Sequence, residues 1–141
     1  MRLDSKFSAT FDRLLGYRPE VVFVILGGSD IHPACSVMGI VSSLISVRQR
    51  LLDRGAKRVF ISGIEARGKT LGLTPKVYTK IRRSIHKKLS KILGSDFVDL
   101  NKVWHFPVQY DQNDLVHPGA KEGGCASLLG LIHRCLHAGL K

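Results

Sequence analysis

Residues 21–30 read VVFVILGGSD, and this stretch decides the class of fold. Its first six residues are apolar on both faces of a strand and mostly β-branched, which is typical of a strand buried inside a parallel sheet. The strand stops at two glycines, Gly27 and Gly28, and a short polar pair follows them. In open α/β sheets, the loops at the carboxyl ends of the strands carry the chemistry. The stretch therefore predicts an α/β fold and marks one candidate functional loop.

Helical and strand patterns alternate on both sides of this strand. Apolar spacing, caps and glycine stops predict a first helix capped by Asp4 or Ser5, a helix from Ser36 to Gly55, a strand at 58–62, a helix at 75–93, a strand at 96–100, and a final helix from about Ala120 to His137. This order favours right-handed crossovers onto a parallel sheet. We expect one domain over residues 1–141, a three-layer α/β/α sandwich of the flavodoxin-like kind with a short sheet. Three strands are few, so we also expect an oligomer or a partner chain to cover the free edge.

The composition favours a folded protein with a basic surface. The 141 residues are 44% hydrophobic and include 22 Lys and Arg against 11 Asp and Glu, a net charge of +11. Enough apolar residues are present to form a core, which excludes a disordered chain. No apolar run approaches the ~20 residues that span a bilayer, and the first residues carry charges where a signal peptide is apolar. With an odd number of cysteines, three, the sequence predicts an intracellular protein, cytoplasmic or nuclear, that makes no use of a membrane.

A second candidate loop lies before the final helix, at Asp114-Leu115-Val116-His117. A carboxylate three residues before a histidine can orient the imidazole and stabilise its charged form. The alternative is an aspartate that caps a turn beside a bystander histidine. Each loop taken alone is therefore an unspecific signal.

Taken together and in this order, the two loops resemble the SGNH (GDSL) hydrolase superfamily. The segment VILGGSDI at 24–31 resembles the family's Gly-x-Asn-Asp block, and Asp114-x-x-His117 resembles its C-terminal Asp-x-x-His block. Compact phage-associated or retroelement-associated members look most similar in length and charge. The resemblance implies hydrolysis of a small ester by a serine nucleophile, with His117 as general base and Asp114 orienting its imidazole. It also implies that Gly27 and Ser29 donate hydrogen bonds to the oxyanion.

Two departures from the family pattern bear on activity. Ser29 stands where the family carries an asparagine, so a shorter hydroxyl replaces a side-chain amide at the oxyanion. The family's Gly-Asp-Ser nucleophile block, which follows a first buried strand, is absent. Asp4-Ser5 matches two of its letters without a preceding strand, and Ser5 is predicted to cap a helix instead. We interpret the chain as the family fold without its N-terminal strands, expect weak or no hydrolysis by the chain alone, and leave the nucleophile open.

A competing motif follows the second strand. Residues 63–70 read GIEARGKT and satisfy the Walker A pattern of phosphate-binding loops. Such a loop needs a helix that begins at its Lys-Thr pair, whereas Gly72 and Pro75 interrupt any helix that starts at Lys69. Nucleotide binding through 63–70 is therefore a lesser alternative, and a basic surface loop is the simpler interpretation.

The helix at 75–93 supports a different alternative, a basic module that binds nucleic acid. The helix carries no acid and seven cations, which are Lys76, Lys80, Arg82, Arg83, Lys87, Lys88 and Lys91. Its apolar stripe predicts that the cations point outward, and Arg82, Arg83, Lys87 and Lys88 are the candidate contacts with non-specific nucleic acid. A solvated helix face is the other interpretation, because no stacking aromatics accompany the charges.

No metal or cofactor is predicted. His133, Cys135 and His137 lie close together in the last helix, but no carboxylate or second ligand pair at zinc spacing accompanies them. We interpret these three residues as packing residues.

Overall fold

A computed structural model describes the backbone of residues 5–141 and the side chains of residues 9–141. Asp4 and the side chain of Ser5, the predicted caps of the first helix, lie outside the described residues. The helices and strands alternate as α1 (Ser5–Leu15), β1 (Val21–Val24), α2 (Val37–Asp53), β2 (Arg58–Ser62), α3 (Pro75–Leu93), β3 (Phe97–Val98) and α4 (Gly124–Gly139). This order confirms the predicted α/β class.

The three strands form one parallel sheet in the order β1-β2-β3. Val24 of β1 is paired with Ile61 of β2, which in turn is paired with Phe97 of β3. Because the strands all point the same way, their carboxyl ends meet at one edge of the sheet. The loops after β1, β2 and β3 start at that edge.

The sheet separates two helical layers. Val59 and Ile61 of β2 point into the main core, together with residues of α1, α2 and α3. Phe60, between them, points to the opposite face, since successive side chains of a strand alternate. There, Gly139 at the end of α4 lies against Phe60 and Val21. Helices α1, α2 and α3 therefore cover one face and α4 covers the other, which confirms the predicted three layers.

The starts of α2 and α3 follow local sequence signals. The Ser36 hydroxyl accepts a hydrogen bond from the Gly39 amide at 3.1 Å, and the Thr74 hydroxyl accepts one from the Val77 amide at 3.2 Å. Pro75 stands in the first turn of α3, where a backbone N–H would have no partner inside the helix. The predicted starts of both helices are confirmed.

The strands are shorter than predicted, and the final helix begins later. β1 ends at Val24, two residues early, and β3 comprises only Phe97–Val98. α4 begins at Gly124 rather than near Ala120, because Gly123 adopts a left-handed φ of 83° that an α-helix cannot contain. The predicted start of α4 is therefore wrong.

β1 lies at an edge of the sheet. Within the described part of the chain it is paired with β2 alone. Ile25, the residue after β1, is 41% exposed.

No helix among residues 5–141 combines the length and the apolar character needed to cross a membrane.

Candidate active site

Three loops leave the carboxyl edge of the sheet and contact one another there. They span residues 25–36 after β1, residues 63–74 after β2 and residues 99–123 after β3. The Gly68 amide of the middle loop donates a hydrogen bond to the Leu115 carbonyl of the third loop at 2.7 Å. Gly28 of the first loop packs against the side chains of Glu65 and Arg67, which also belong to the middle loop. The middle loop therefore joins the two candidate functional loops.

Asp114 and His117 form the hydrogen-bonded pair that their spacing predicts. His117 Nδ1 lies 2.7 Å from Asp114 Oδ2. The other carboxylate oxygen accepts hydrogen bonds from the amide of Val116 at 2.8 Å and the amide of His117 at 3.1 Å. The hydrogen bond with the imidazole, followed by these two amides, holds the pKa of Asp114 well below its usual range. Asp114 therefore stays an anion facing the imidazole.

The imidazole of His117 is accessible from outside the molecule. Its side chain is 75% exposed. In the tautomer that carries the proton on Nδ1, Nε2 keeps the lone pair that can accept a proton. Nε2 hydrogen-bonds to no group in the described part of the chain. The Asp114–His117 pair can therefore act as a general base toward a hydroxyl or water at this loop.

The backbone conformation of Leu115 brings the side chains of Asp114 and His117 within hydrogen-bonding distance. Leu115 adopts a left-handed φ of 53°, which is uncommon outside glycine. Its side chain packs against Gly68 and against the buried cluster that contains Trp104 and Tyr110. This packing stabilises a conformation that an exposed leucine would rarely adopt. The resulting turn presents both the amide and the ring of His117 to one carboxylate.

The loop after β1 turns sharply at the residues predicted to stabilise the oxyanion. Gly27 adopts a left-handed φ of 105°, and its carbonyl accepts a hydrogen bond from the Asp30 amide at 3.0 Å. Gly28 is buried, whereas Ser29 is exposed. A Cβ at Gly28 would overlap the side chain of Arg67, so this close approach requires glycine.

A nearly buried ion pair supports this turn. The side chains of Glu65 and Arg67 are 12% and 9% exposed, and Arg67 donates to the Glu65 carboxylate. The Tyr78 hydroxyl donates to the Glu65 carbonyl at 2.9 Å. Burial raises the pKa of Tyr78 to about 12, so this hydroxyl keeps its proton. The pair was not predicted, although two opposite charges three and five residues after a buried strand were a visible signal.

Asn101 connects the middle loop, the third loop and α3. Its Oδ1 accepts hydrogen bonds from the Ala66 amide at 2.7 Å and from Arg82 at 2.9 Å. Its Nδ2 donates to the Trp104 carbonyl at 2.6 Å and to the Tyr110 hydroxyl at 3.0 Å. All four hydrogen-bonding positions of the amide are therefore used. Asn101 was not predicted, and its position just after the third strand is the one sequence signal that could have suggested it.

Arg82 does not point outward. Its guanidinium donates to the Ile64 carbonyl at 2.7 Å as well as to Asn101. The prediction that Arg82 projects from the helix as a free surface cation is therefore wrong, because loop carbonyl and amide oxygens bind its charge. The remaining candidates for nucleic-acid contact, Arg83, Lys87 and Lys88, are exposed.

Residues 63–70 lack the features of a phosphate-binding loop. The next helix begins at Pro75, six residues beyond Lys69, so no helical amides follow the Lys-Thr pair. Three amides of the loop already donate elsewhere: Gly63 to Val98, Ala66 to Asn101 and Gly68 to Leu115. Residues 63–70 therefore match the Walker A pattern in sequence but not in geometry, as Gly72 and Pro75 predicted.

His86 packs beneath the middle loop rather than at the surface. Its Nε2 lies 3.0 Å from the Ile64 carbonyl, and its ring contacts Phe97 edge to face. Burial, followed by the charge of Arg82, lowers the pKa of His86. His86 is therefore a neutral supporting residue of the site.

Neither a nucleophile nor a metal centre accompanies the pair among the described side chains. No serine hydroxyl in that part of the chain hydrogen-bonds to His117, and the side chain of Ser5 lies outside it. Within the same residues, no three His, Cys, Asp or Glu side chains come together as metal ligands would. His133 and His137 stack on each other along α4 with ring centroids 6.4 Å apart, and both are exposed, so the interpretation of these two histidines as packing residues is wrong. No protein-family model and no curated protein sequence matches the chain.

Proposed function

We propose that the chain carries the general-base and oxyanion half of an ester hydrolase site of the SGNH type. The observation that carries this proposal is the 2.7 Å hydrogen bond between His117 Nδ1 and Asp114 Oδ2 beside an accessible imidazole. The position of the pair supports it, because the middle loop links it to the Gly28 turn at the same edge of the sheet. The substrate class is a small ester.

The pair moves one proton during the reaction. The oxygen of a hydroxyl or a water attacks the acyl carbon while His117 Nε2 accepts its proton, and the carbonyl oxygen becomes an oxyanion. Asp114 stabilises the imidazolium that forms. When the carbonyl forms again, the bond to the alcohol breaks and His117 returns the proton to the departing alkoxide. The chemistry requires no cofactor.

The turn after β1 stabilises the oxyanion in this proposal. The amide of Gly27 and the hydroxyl of Ser29 are the proposed donors. A donor arranged in advance of the reaction contributes about 3–4 kcal/mol to stabilising the transition state. The rigid support of the turn by the Glu65–Arg67 pair favours such an arrangement.

The proposal names no serine nucleophile. With water as the attacking group, the reaction lacks the covalent route that divides acyl transfer into two easier steps. Hydrolysis by this chain alone is therefore expected to be slow. The three cysteines, Cys35, Cys125 and Cys135, are free thiols. This state fits the further proposal that the protein acts inside the cell, in the cytoplasm or nucleus.

Hydrolysis of p-nitrophenyl esters tests the proposed function. We expect a slow rate above the buffer background that His117→Ala abolishes, because the general base is lost. His105→Ala is the matched control, since His105 is an exposed histidine of the same loop whose ring makes no hydrogen bond to a described residue. A serine-directed fluorophosphonate should not label the chain stoichiometrically. A rate that both variants leave unchanged would reject the site, and stoichiometric labelling lost in His117→Ala would show that a serine nucleophile is present.

A further inference from the structure

We infer that the outer face of α3 is a docking surface for the phosphate backbone of double-stranded nucleic acid. The surface lies outside the three loops, and its proposed role does not depend on the hydrolase chemistry.

The surface consists of five basic side chains in one row along the outer face of α3, which we call the cation line. Its members, Lys76, Lys80, Arg83, Lys87 and Lys91, are spaced four, three, four and four residues apart. At ~100° of helical rotation per residue, the five fall within an arc of about 80°. All five are exposed, and they lie opposite the buried stripe of Tyr78, Ile85 and Leu89. From the first to the last cation, the line extends about 22 Å along the helix.

The charges of this cation line have no acidic partner among the side chains of residues 9–141. α3 contains no acid, and none of the five cations forms a salt bridge with a residue that the structure describes. Other cations of the protein do have acidic partners: Lys57 pairs with Glu20, Arg50 with Asp12, and Arg48 and Arg58 with Asp96. The cation line therefore concentrates uncompensated positive charge on one face, which favours a polyanionic partner.

The side chains beside the line favour a duplex over other polyanions. A single strand binds largely by stacking on exposed aromatics, but Tyr78 of α3 is 2% exposed and the ring of His86 packs against Phe97. A helix that inserts into a lipid surface does so with a continuous apolar face, but the exposed apolar residues Val77 and Ile92 stand singly at the two ends of α3. A duplex presents a regular row of phosphates, one per about 3.4 Å of its axis on each strand, so a row of cations about 22 Å long can face several phosphates at once.

The same residues indicate that binding is independent of sequence. α3 contains no Asn or Gln, the side chains that read adenine edges. Four of the five cations are lysines, which contact phosphates as point charges and position a protein on a duplex, and Arg83 alone has a guanidinium of the kind that reads guanine edges. We therefore expect one affinity for duplexes of different sequence.

Titration of a fluorescent duplex of about 20 base pairs with the full chain tests the inference, at salt concentrations between about 50 and 200 mM. For four to five phosphate contacts, the plot of log K against log salt should have a slope of about −4. The triple variant Lys80→Gln, Arg83→Gln, Lys87→Gln should reduce the magnitude of this slope by about 3 and weaken binding at low salt at least about 10-fold.

A second triple variant controls for total charge. Arg13→Gln, Arg54→Gln, Arg134→Gln removes the same charge from exposed positions on α1, after α2 and on α4. It should leave the slope within about one unit of the original value. Equal loss of affinity in both triples would overturn the inference, as would tighter binding to a single strand of the same length. Binding to anionic vesicles that the first triple abolishes, without binding to duplex, would overturn it in favour of a membrane partner. Circular dichroism of both triples measures whether the total helix content of the protein is retained, and a loss confined to the first triple would mean that its weaker binding reflects unfolding.

Discussion

Gly28 shows that the lack of a side chain can shape a site. Its backbone lies so close to the Glu65–Arg67 pair that a Cβ would overlap both charged groups. The pair is nearly buried, so it can make room only by breaking its own contact or displacing the turn. At the residue scale, the geometry of the proposed oxyanion turn therefore depends on glycine.

Gly28→Ala should destabilise the protein by about 1–3 kcal/mol, because an added methyl group strains a tightly packed site. Gly130→Ala is the matched control. Gly130 lies inside α4, and its Cβ would meet only the flexible end of Arg134 at 3.4 Å. The control should stabilise the protein by about 0.5–1 kcal/mol through higher helix propensity. Urea denaturation of both variants measures the difference, and effects of the same sign would contradict this account of Gly28.

Asn101 acts at the scale of whole elements, because its one side chain bonds the middle loop, the third loop and α3. Its partners include the guanidinium of Arg82, which also donates to the middle loop. Loss of this amide leaves several polar groups without partners in a half-buried region, which costs more than the bonds alone contribute.

Asn101→Ala should therefore lower the free energy of unfolding by about 2–4 kcal/mol and speed hydrogen exchange of the Ala66 amide. Asn113→Ala provides the control, since Asn113 is an exposed asparagine of the same loop whose side chain bonds to no described residue. It should change stability by less than about 0.5 kcal/mol. The account of Asn101 fails if the two variants unfold at the same urea concentration and exchange equally fast.

The helices could be predicted more fully than the contacts between loops. The caps at Ser36 and Thr74 are local signals, so both helix starts follow from a few neighbouring residues. The outward orientation predicted for Arg82 was wrong because its partner Asn101 is 19 residues away in an irregular loop. The hydrophobic periodicity of a helix does not reveal a contact of this kind. Arg82 lies seven residues before Leu89 and almost in line with it along the inner side of the helix, and this position indicated that the side chain points inward.

At the scale of the whole molecule, the parallel sheet assembles the candidate site. Parallel strands bring their carboxyl ends to one edge, so the sequence could predict that the first and third loops begin there. The spacing of Asp114 and His117 also predicted their hydrogen bond. The contacts between the loops could not be predicted, because they join residues that are far apart in the chain. Gly28 packs against Arg67, and the Gly68 amide donates to the Leu115 carbonyl. The basic face of α3 points away from this site, whereas the inner face of the same helix supports the site through Tyr78 and Arg82.

The central claim, that Asp114 and His117 act as one general base, is tested most directly by a double-mutant cycle on kcat/KM for p-nitrophenyl acetate. The variants are Asp114→Asn, His117→Ala and their combination. Asparagine retains an oxygen for the Val116 and His117 amides, so the turn is preserved while the charge is lost. We predict that each single variant loses the enzyme-dependent rate and that the double variant is no slower than His117→Ala alone, because the two residues act as a unit. Independent, additive losses, or a full rate in Asp114→Asn, would contradict the claim.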